Sequence, residues 1–489
     1  MVKQNWLRQI PLFSTIFLGL VLRLYQFYRD FSFDEAFTIL ITRQTTPMEI
    51  IQNMINDTTP PLYYLLIYIW QKVLPHFQDT RIFSLLTGLL GIYLMYYFGE
   101  KLFSKRVGLI AAIINATTPL SIYNSQNARM YTLGFIWSAY LTYVLIKIYT
   151  SKNPLLSQYF ILGLILLLGL FTHYFFVFYG TAILCFAFFD ENARRQKRII
   201  FCLFSILIIF LPWAVLISVS PHADYISENN LFKIPLSIIT QFVSIDQIGG
   251  LWQASALTTS RIAKISMVTF FILLPLVIKM YLVLKRKEEE RIPKLLFFLV
   301  ATTFLSTIFV SYTIMPIMSF HGFSIFTPAL YLLLAYLVST YALQLRHFIL
   351  SLFVILSVGI NLWFTRGYTY SSQQTARILL EKYKAGDSIY YGDIIPLAPL
   401  LVYVPQLPQY LLFDNPSVSK MTAQHLGITT QPFAISSSES SRIWIIYDTT
   451  TYRAITMKTI ENEKNSEWHS LFKYKTGNIR MSLYASSRF

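Results

Sequence analysis

Long uncharged apolar runs constrain this chain more than any other feature. A helix needs about 20 such residues to cross the hydrocarbon of a bilayer, and runs of that order recur between Ile10 and Phe364. In lipid every backbone N–H and C=O must be satisfied within the segment, so runs of this kind are helices. Composition points the same way. Charged residues make up 13% of the chain, against about 25% in an ordinary soluble domain. The expected fold is therefore an all-α polytopic membrane protein.

Basic residues orient it. Lys3 and Arg8 precede the first run and place the N-terminus in the cytoplasm. Lys101, Lys105 and Arg106, then Lys147 and Lys152, Arg194 to Arg198, Lys285 to Lys294, and Arg346 all fall on one side if residues 30–80 form a single outer loop. Spans are then read at about Ile10–Tyr28, Arg81–Gly99, Val107–Tyr123, Tyr131–Tyr149, Leu155–Phe171, Tyr174–Phe189, Ile199–Ser218, Ile265–Leu284, Leu295–Met315, Ser324–Leu343 and Phe348–Phe364. That is about 11 transmembrane helices, and the odd number puts the C-terminal part outside. The first span lacks a small-residue cleavage site and reads as retained. The net charge is +16, and the basic residues fall in short clusters between the apolar runs. This follows the positive-inside rule, and no nucleic-acid partner is expected. Cys185 and Cys202 both lie in apolar runs, so neither a disulfide framework nor a cysteine metal site is expected.

Hydropathy falls after Phe364. Residues 1–364 read as the membrane domain and 365–489 as a small α/β domain outside the membrane. In it Ala376–Lys384 reads as a helix, and Ser388–Tyr391, Leu400–Val404 and Arg442–Tyr447 as strands.

The outer side gathers the residues that could do chemistry. Asp34 and Glu35 follow directly on the first span. Ser32 with Glu35 is a capping-box pattern, and Asp34 either favours the same helix end or serves a site. In Asn56-Asp57-Thr58-Thr59-Pro60-Pro61, Thr59 suits an N-cap and Pro60 a first helical residue. The apolar run that follows, Leu62–Leu74, is short for a span and reads as interfacial or re-entrant. Asp57 suits a turn-and-cap role. Arg129, in the outer turn Asn124–Tyr131, stands against the positive-inside trend and calls for an anionic partner. That partner is either a phosphate or one of Asp34, Glu35 and Asp57. His173 and His321 sit at outer turns, as structural histidines or as site residues, and no metal-ligand spacing is present.

Taken in order, these motifs resemble the GT-C glycosyltransferases. They are Asp34-Glu35, Thr59-Pro60-Pro61-Leu62-Tyr63-Tyr64, Arg81 with Ser84 and Gly88, Pro119 before Ser125-Gln126-Asn127-Ala128-Arg129-Met130-Tyr131, and Thr172-His173-Tyr174. The nearest likeness is to the protein O-mannosyltransferase and aminoarabinose-transferase group, glycosyltransferase family 39-like. It is clear over Leu7–Gly180 and looser beyond.

The resemblance implies an enzyme of a bacterial plasma membrane. It would take a sugar from a polyprenyl-phosphate donor and pass it, with inversion, to an acceptor hydroxyl of a protein, lipid or polysaccharide. It implies Asp34 as general base and juxtamembrane helices in the first outer loop. Arg129 and His321 would hold the donor phosphate. Glu35, Asp57, Tyr63, Gln126, Tyr131 and His173 would support the site. A divalent cation is admitted and none is required. Two departures stand out. Many relatives carry an acidic residue where this chain has Asn127, and many have Arg-Tyr near the position of His321-Gly322. The rival class is a lipid-linked sugar flippase, which would show internal repeats and broken midplane helices. No repeat is evident.

Overall fold

The computed structural model describes residues 10–219 (apart from 45, 56, 58 and 190), 274–285, 290–314, 317, 322–365, 371–392, 394–413, 430–432, 442–449, 468–477 and 479–486. His321 and the whole of the expected outer loop Pro221–Lys264 lie outside them, as does the first half of the expected span Ile265–Leu284.

The chain enters through α1 (Ile10–Leu24) and then lays down three short helices, α2 (Phe33–Gln44), α3 (Pro47–Ile55) and α4 (Leu62–Val73). A bundle follows: α5 (Thr80–Leu102), α6 (Lys105–Thr117), α7 (Pro119–Ser125), α8 (Tyr131–Thr150), α9 (Leu156–Leu170), α10 (Phe176–Phe188), α11 (Ala193–Val219), α12 (274–285), α13 (Arg291–Thr313), α14 (Thr327–Ser339) and α15 (Leu343–Thr365). Among the described residues five helices are long and apolar enough to cross a membrane, and four shorter apolar helices accompany them. The protein is therefore a multi-pass membrane protein. The apolar residues between Leu94 and Val338 form one continuous core through the bundle. At its tightest point α5 meets α6 backbone to backbone. A Cβ on Gly99 would lie 2.6 Å from the Gly108 Cα, so only glycine fits there.

One expected span is broken. Pro119 forces Thr118 into an extended conformation (φ −61°, ψ 125°), and α6 and α7 diverge by 63°. Pro119 also has no N–H to give the carbonyl of Asn115. Arg23, fully buried in α1, supplies the missing donors. Its guanidinium bonds the carbonyls of Asn115 (3.1 Å), Ala116 (3.0 Å) and Gly19 (3.1 Å) and the Ser125 Oγ (3.0 Å). A charge within a bilayer is costly unless paired or hydrogen-bonded. Here four acceptors surround it.

The C-terminal part holds α16 (Ser371–Lys382), α17 (Ile394–Tyr403) and a six-stranded mixed sheet. The strands are β1 (Ser388–Tyr391), β2 (Gln409–Phe413), β3 (Thr430–Pro432), β4 (Arg442–Asp448), β5 (Trp468–Thr476) and β6 (Ile479–Ser486), ordered β3-β2-β1-β4-β6-β5. β1 pairs in parallel with β2 and β4, while β6 runs antiparallel to β4 and β5. Alternation sorts the side chains. Ile389 and Tyr391 face the helices with Trp444 and Ile446, and Tyr390 faces the other layer with Ile443 and Ile445. Leu400–Val404, expected as a strand, belongs instead to helix α17 and its end. A short, wholly apolar run does not distinguish the two by periodicity.

Candidate active site

The site is built on the first turn of α2. Ser32 and Glu35 make the reciprocal bonds of a capping box: Ser32 N–H donates to Glu35 Oε2 (3.1 Å) and Glu35 N–H to Ser32 Oγ (3.3 Å). Glu35 is fully buried. Arg81, at the start of α5, grips it in a fork, Nε to Oε1 at 2.7 Å and Nη2 to Oε2 at 2.9 Å. The Ala128 amide adds a bond to Oε1 at 2.9 Å. Burial alone would push this carboxyl up. The charges of Arg81 and Arg29 and the bonds from Arg81 and Ala128 outweigh it and hold Glu35 below the usual range.

One residue earlier the environment reverses, because successive helical side chains point about 100° apart. Asp34 is exposed. Its carboxylate has no hydrogen bond and no ion pair within 4.0 Å among the described residues, yet it lies close enough to Arg129 for the two charges to interact.

Arg129 is only partly engaged. Its Nη1 donates to the Tyr64 hydroxyl (2.8 Å) and, weakly, to Thr38 Oγ1 (3.5 Å). Its Nε is buried without a partner among the described residues. Burial works against its charge. The oxygens of Tyr64, Asp34, Tyr131 and Asp57 outweigh that effect and hold the guanidinium protonated well beyond its ordinary value.

Tyr64 continues a chain of hydroxyls. It lies 3.0 Å from Thr59 Oγ1, which donates to Asp57 Oδ2 at 2.5 Å. Each hydroxyl has one proton, so the chain runs one way, from Arg129 through Tyr64 and Thr59 to Asp57. Thr59 is therefore not the expected helix cap. α4 begins at Leu62, three residues later, after Pro61 and with no side-chain cap, and the Thr59 hydroxyl serves the relay instead.

The remaining candidates take different places. Tyr63 is fully buried on α4 and within electrostatic reach of Arg129 and Glu35. Tyr131 opens α8 beside Arg129. His173 sits behind it, ring centroids 6.0 Å apart, with Nδ1 accepting the Phe175 N–H at 3.1 Å. Gln126 is turned away from the site and pins the chain after α1, donating to the carbonyls of Arg23 (3.0 Å) and Tyr25 (2.7 Å). His321 lies outside the described residues. Asn127 accepts from Arg29 Nη2 at 2.5 Å.

The structure thus brings Asp34, Asp57, Tyr63 and Tyr131 within electrostatic reach of Arg129. It adds Tyr64, Thr38 and Arg29, which the sequence reading did not select. Arg29 follows directly on the first span, on the side that the basic clusters leave as outer by the positive-inside rule, and the argument used for Arg129 could have found it. No group of three or more His, Cys, Asp or Glu side chains suited to a metal ion occurs among the described residues.

Comparison with known proteins adds independent findings. Residues 58–217 match the family described as dolichyl-phosphate-mannose-protein mannosyltransferase. No curated protein sequence matches the chain. Crystal structures match it over nearly its whole length. ArnT from Cupriavidus metallidurans in the apo state covers 99% of this chain and 98% of its own at TM-score 0.65 and 11% identity. The same protein bound to undecaprenyl phosphate covers 96% and 97% at TM-score 0.63 and 11% identity. The Archaeoglobus fulgidus oligosaccharyltransferase in complex with Zn and sulfate covers 97% of this chain and 73% of its own at TM-score 0.55 and 12% identity. The resemblance to GT-C glycosyltransferases read from the motifs is therefore found again in the family match and in an ArnT-like fold.

Proposed function

We propose that this protein transfers a sugar from a polyprenyl-phosphate donor to an acceptor hydroxyl at the outer face of a bacterial plasma membrane, with inversion at the anomeric carbon. One observation carries the reading. Asp34 and Arg129 lie near each other with their charges interacting, and neither is consumed by the other. An exposed carboxylate with no partner among the described residues can take the proton of an incoming hydroxyl, a contribution of about 10²–10⁴ in rate. A guanidinium with an unused N–H can receive the oxygens of the leaving lipid phosphate as their charge develops. The space between them would hold the anomeric carbon. In this reading the acceptor oxygen attacks that carbon as Asp34 takes its proton, and the lipid phosphate departs towards Arg129. Glu35 holds the helix that presents Asp34, and Asp57 orients Arg129 through Thr59 and Tyr64.

The broken span α6–α7 favours the flippase rival, since transporters often use broken helices. Arg23 occupies that break and bonds its freed carbonyls, which makes it a closed joint. The experiment that separates the two uses radiolabelled polyprenyl-phosphate monosaccharides in proteoliposomes, wild type beside Asp34→Asn. Donor consumption by wild type that collapses in the variant, with donor binding retained, supports the transferase. Donor movement without consumption establishes the flippase.

A further inference from the structure

The C-terminal domain is fastened to the segment that carries Asp34. Asp30, between α1 and α2, accepts hydrogen bonds from the backbone N–H groups of Ser372 (2.7 Å) and Gln373 (3.1 Å). These amides belong to the first turn of α16, where no carbonyl of the helix itself can reach them. Asp30 thus caps a helix 342 residues further along the chain. Gln373 Nε2 returns a bond to the Tyr28 carbonyl (2.9 Å). The Tyr403 hydroxyl, at the end of α17, accepts the Phe31 N–H at 3.4 Å. Its ring packs on Phe31 and Phe77 with centroids 5.8 and 5.7 Å away. Beside it Ala398 and Val402 of α17 are buried against Ala36, Ile39 and Leu40 of α2. From the membrane side Arg81 takes the carbonyls of Phe27, Arg29 and Asp30 at 2.7–2.9 Å. Residues 27–31 are therefore held between Arg81 and the C-terminal domain, and α2 starts where they end.

We infer that the C-terminal domain positions Asp34 for transfer, with Asp30 and Tyr403 as positioning residues, and so sets the turnover of the membrane site. The inference rests on the transferase reading above. It differs from a role in acceptor recognition, where the domain would hold the acceptor and leave α2 unaffected. The contacts support positioning: the domain makes them with the backbone just before Asp34 and with the apolar face of α2 itself. A loosened attachment misplaces the base, and a shift of about 1 Å can cost about 100-fold in rate.

The test uses the full chain in detergent with Asp30→Ala, Tyr403→Phe and the pair together. Arg377→Ala, on the exposed face of α16, serves as control. Two readouts are taken. Amide hydrogen exchange over residues 33–44 should rise in both single variants and most in the pair, and stay at wild-type level in the control. Turnover should fall about 10- to 100-fold in Asp30→Ala with the KM for donor and acceptor within about threefold, and less in Tyr403→Phe. Unchanged exchange over 33–44 would overturn the inference, even if 371–382 loosens. So would a rise in acceptor KM alone, which assigns the domain to acceptor recognition. If wild type consumes no donor the transferase reading fails, and the exchange measurement still decides whether the domain holds α2. Should Asp30→Ala not fold, Tyr403→Phe, which removes one hydroxyl, carries both readouts.

Discussion

Two guanidinium–carboxylate neighbourhoods flank the first turn of α2, and they are built to opposite rules. On the buried side Arg81 has five N–H groups and five acceptors, with Glu35, Phe27, Arg29 and Asp30 sharing them. On the open side Arg129 bonds the Tyr64 and Thr38 hydroxyls, its Nε has no partner among the described residues, and the Asp34 carboxylate has no hydrogen bond among them. Buried polar groups in folded proteins are nearly always satisfied, so those that are not call for an explanation. A closed network fixes a backbone. An open one beside it, presented by that same backbone, is where the oxygens of a substrate would complete the set. Adjacent residues of one acidic pair thus divide scaffold from chemistry.

The same isosteric change made one residue apart tests this division, and it should give the two largest effects. Glu35→Gln places an amide N–H against Arg81 and leaves a buried guanidinium uncompensated. The expected cost is about 3–5 kcal/mol of stability, read as an early thermal transition in detergent. Asp34→Asn removes only an exposed charge. Its thermal transition should stay near wild type while turnover falls about 10²- to 10⁴-fold. Equal thermal transitions for both variants would dissolve the contrast.

The contrast was half visible in the sequence. The Ser32–Glu35 capping box is a local signal four residues long and can be read directly. The helical character of the long apolar runs is equally legible, because lipid leaves such a run no conformation but a helix. What closes around Glu35 is not local. Arg81 and Ala128 reach it from 46 and 93 residues away. The same holds for Arg23 at the broken span, for Asp30 on α16, and for Tyr64, which sits in the Pro-Pro motif without any mark of its link to Arg129. Thr59 shows the converse. Its position before Pro60 is a good local argument for a cap, and a bond just as local, to Asp57 two residues back, overrode it.

Asp30 lies between the two extremes, hydrogen-bonded and yet penalised for its charge. Burial pushes its carboxyl up to about 6 against the opposing amides of Ser372 and Gln373 and the charge of Arg81. Tyr403 faces it from α17. A folded-state value above the unfolded one, near 3.9, means that the folded protein binds the extra proton. The stability this contributes is fully present below about pH 3.9 and is lost as pH rises through about 6, a change of up to about 3 kcal/mol. Glu35 has the opposite sign, and its contribution is lost only as pH falls below about 4.3. The thermal transition should therefore be higher at pH 5 than at pH 7.5, and Asp30→Asn should flatten that difference. A transition that rises steadily from pH 5 to 7.5 would contradict the sign.

On the open side the effects should be smaller because fewer bonds are made. Arg129→Lys keeps the charge and loses the fork. A bond to a charged group is worth about 1.5–3 kcal/mol, so the KM for donor should rise about 10- to 100-fold with folding intact.

The smallest change probes the relay behind that fork. Thr59→Val keeps the shape and removes the hydroxyl linking Tyr64 to Asp57. A neutral hydrogen bond contributes about 0.5–1.5 kcal/mol net, which sets the expected loss of donor kcat/KM at about 2- to 10-fold. If Asp57 acts on Arg129 only through these hydroxyls, Asp57→Asn should add little to Thr59→Val, because neighbours in one network are not additive. Losses that multiply in the double variant would show that Asp57 touches the substrate by a route of its own. The open side would then have two acids at work, and Asp34 would not be alone among the carboxylates facing the donor.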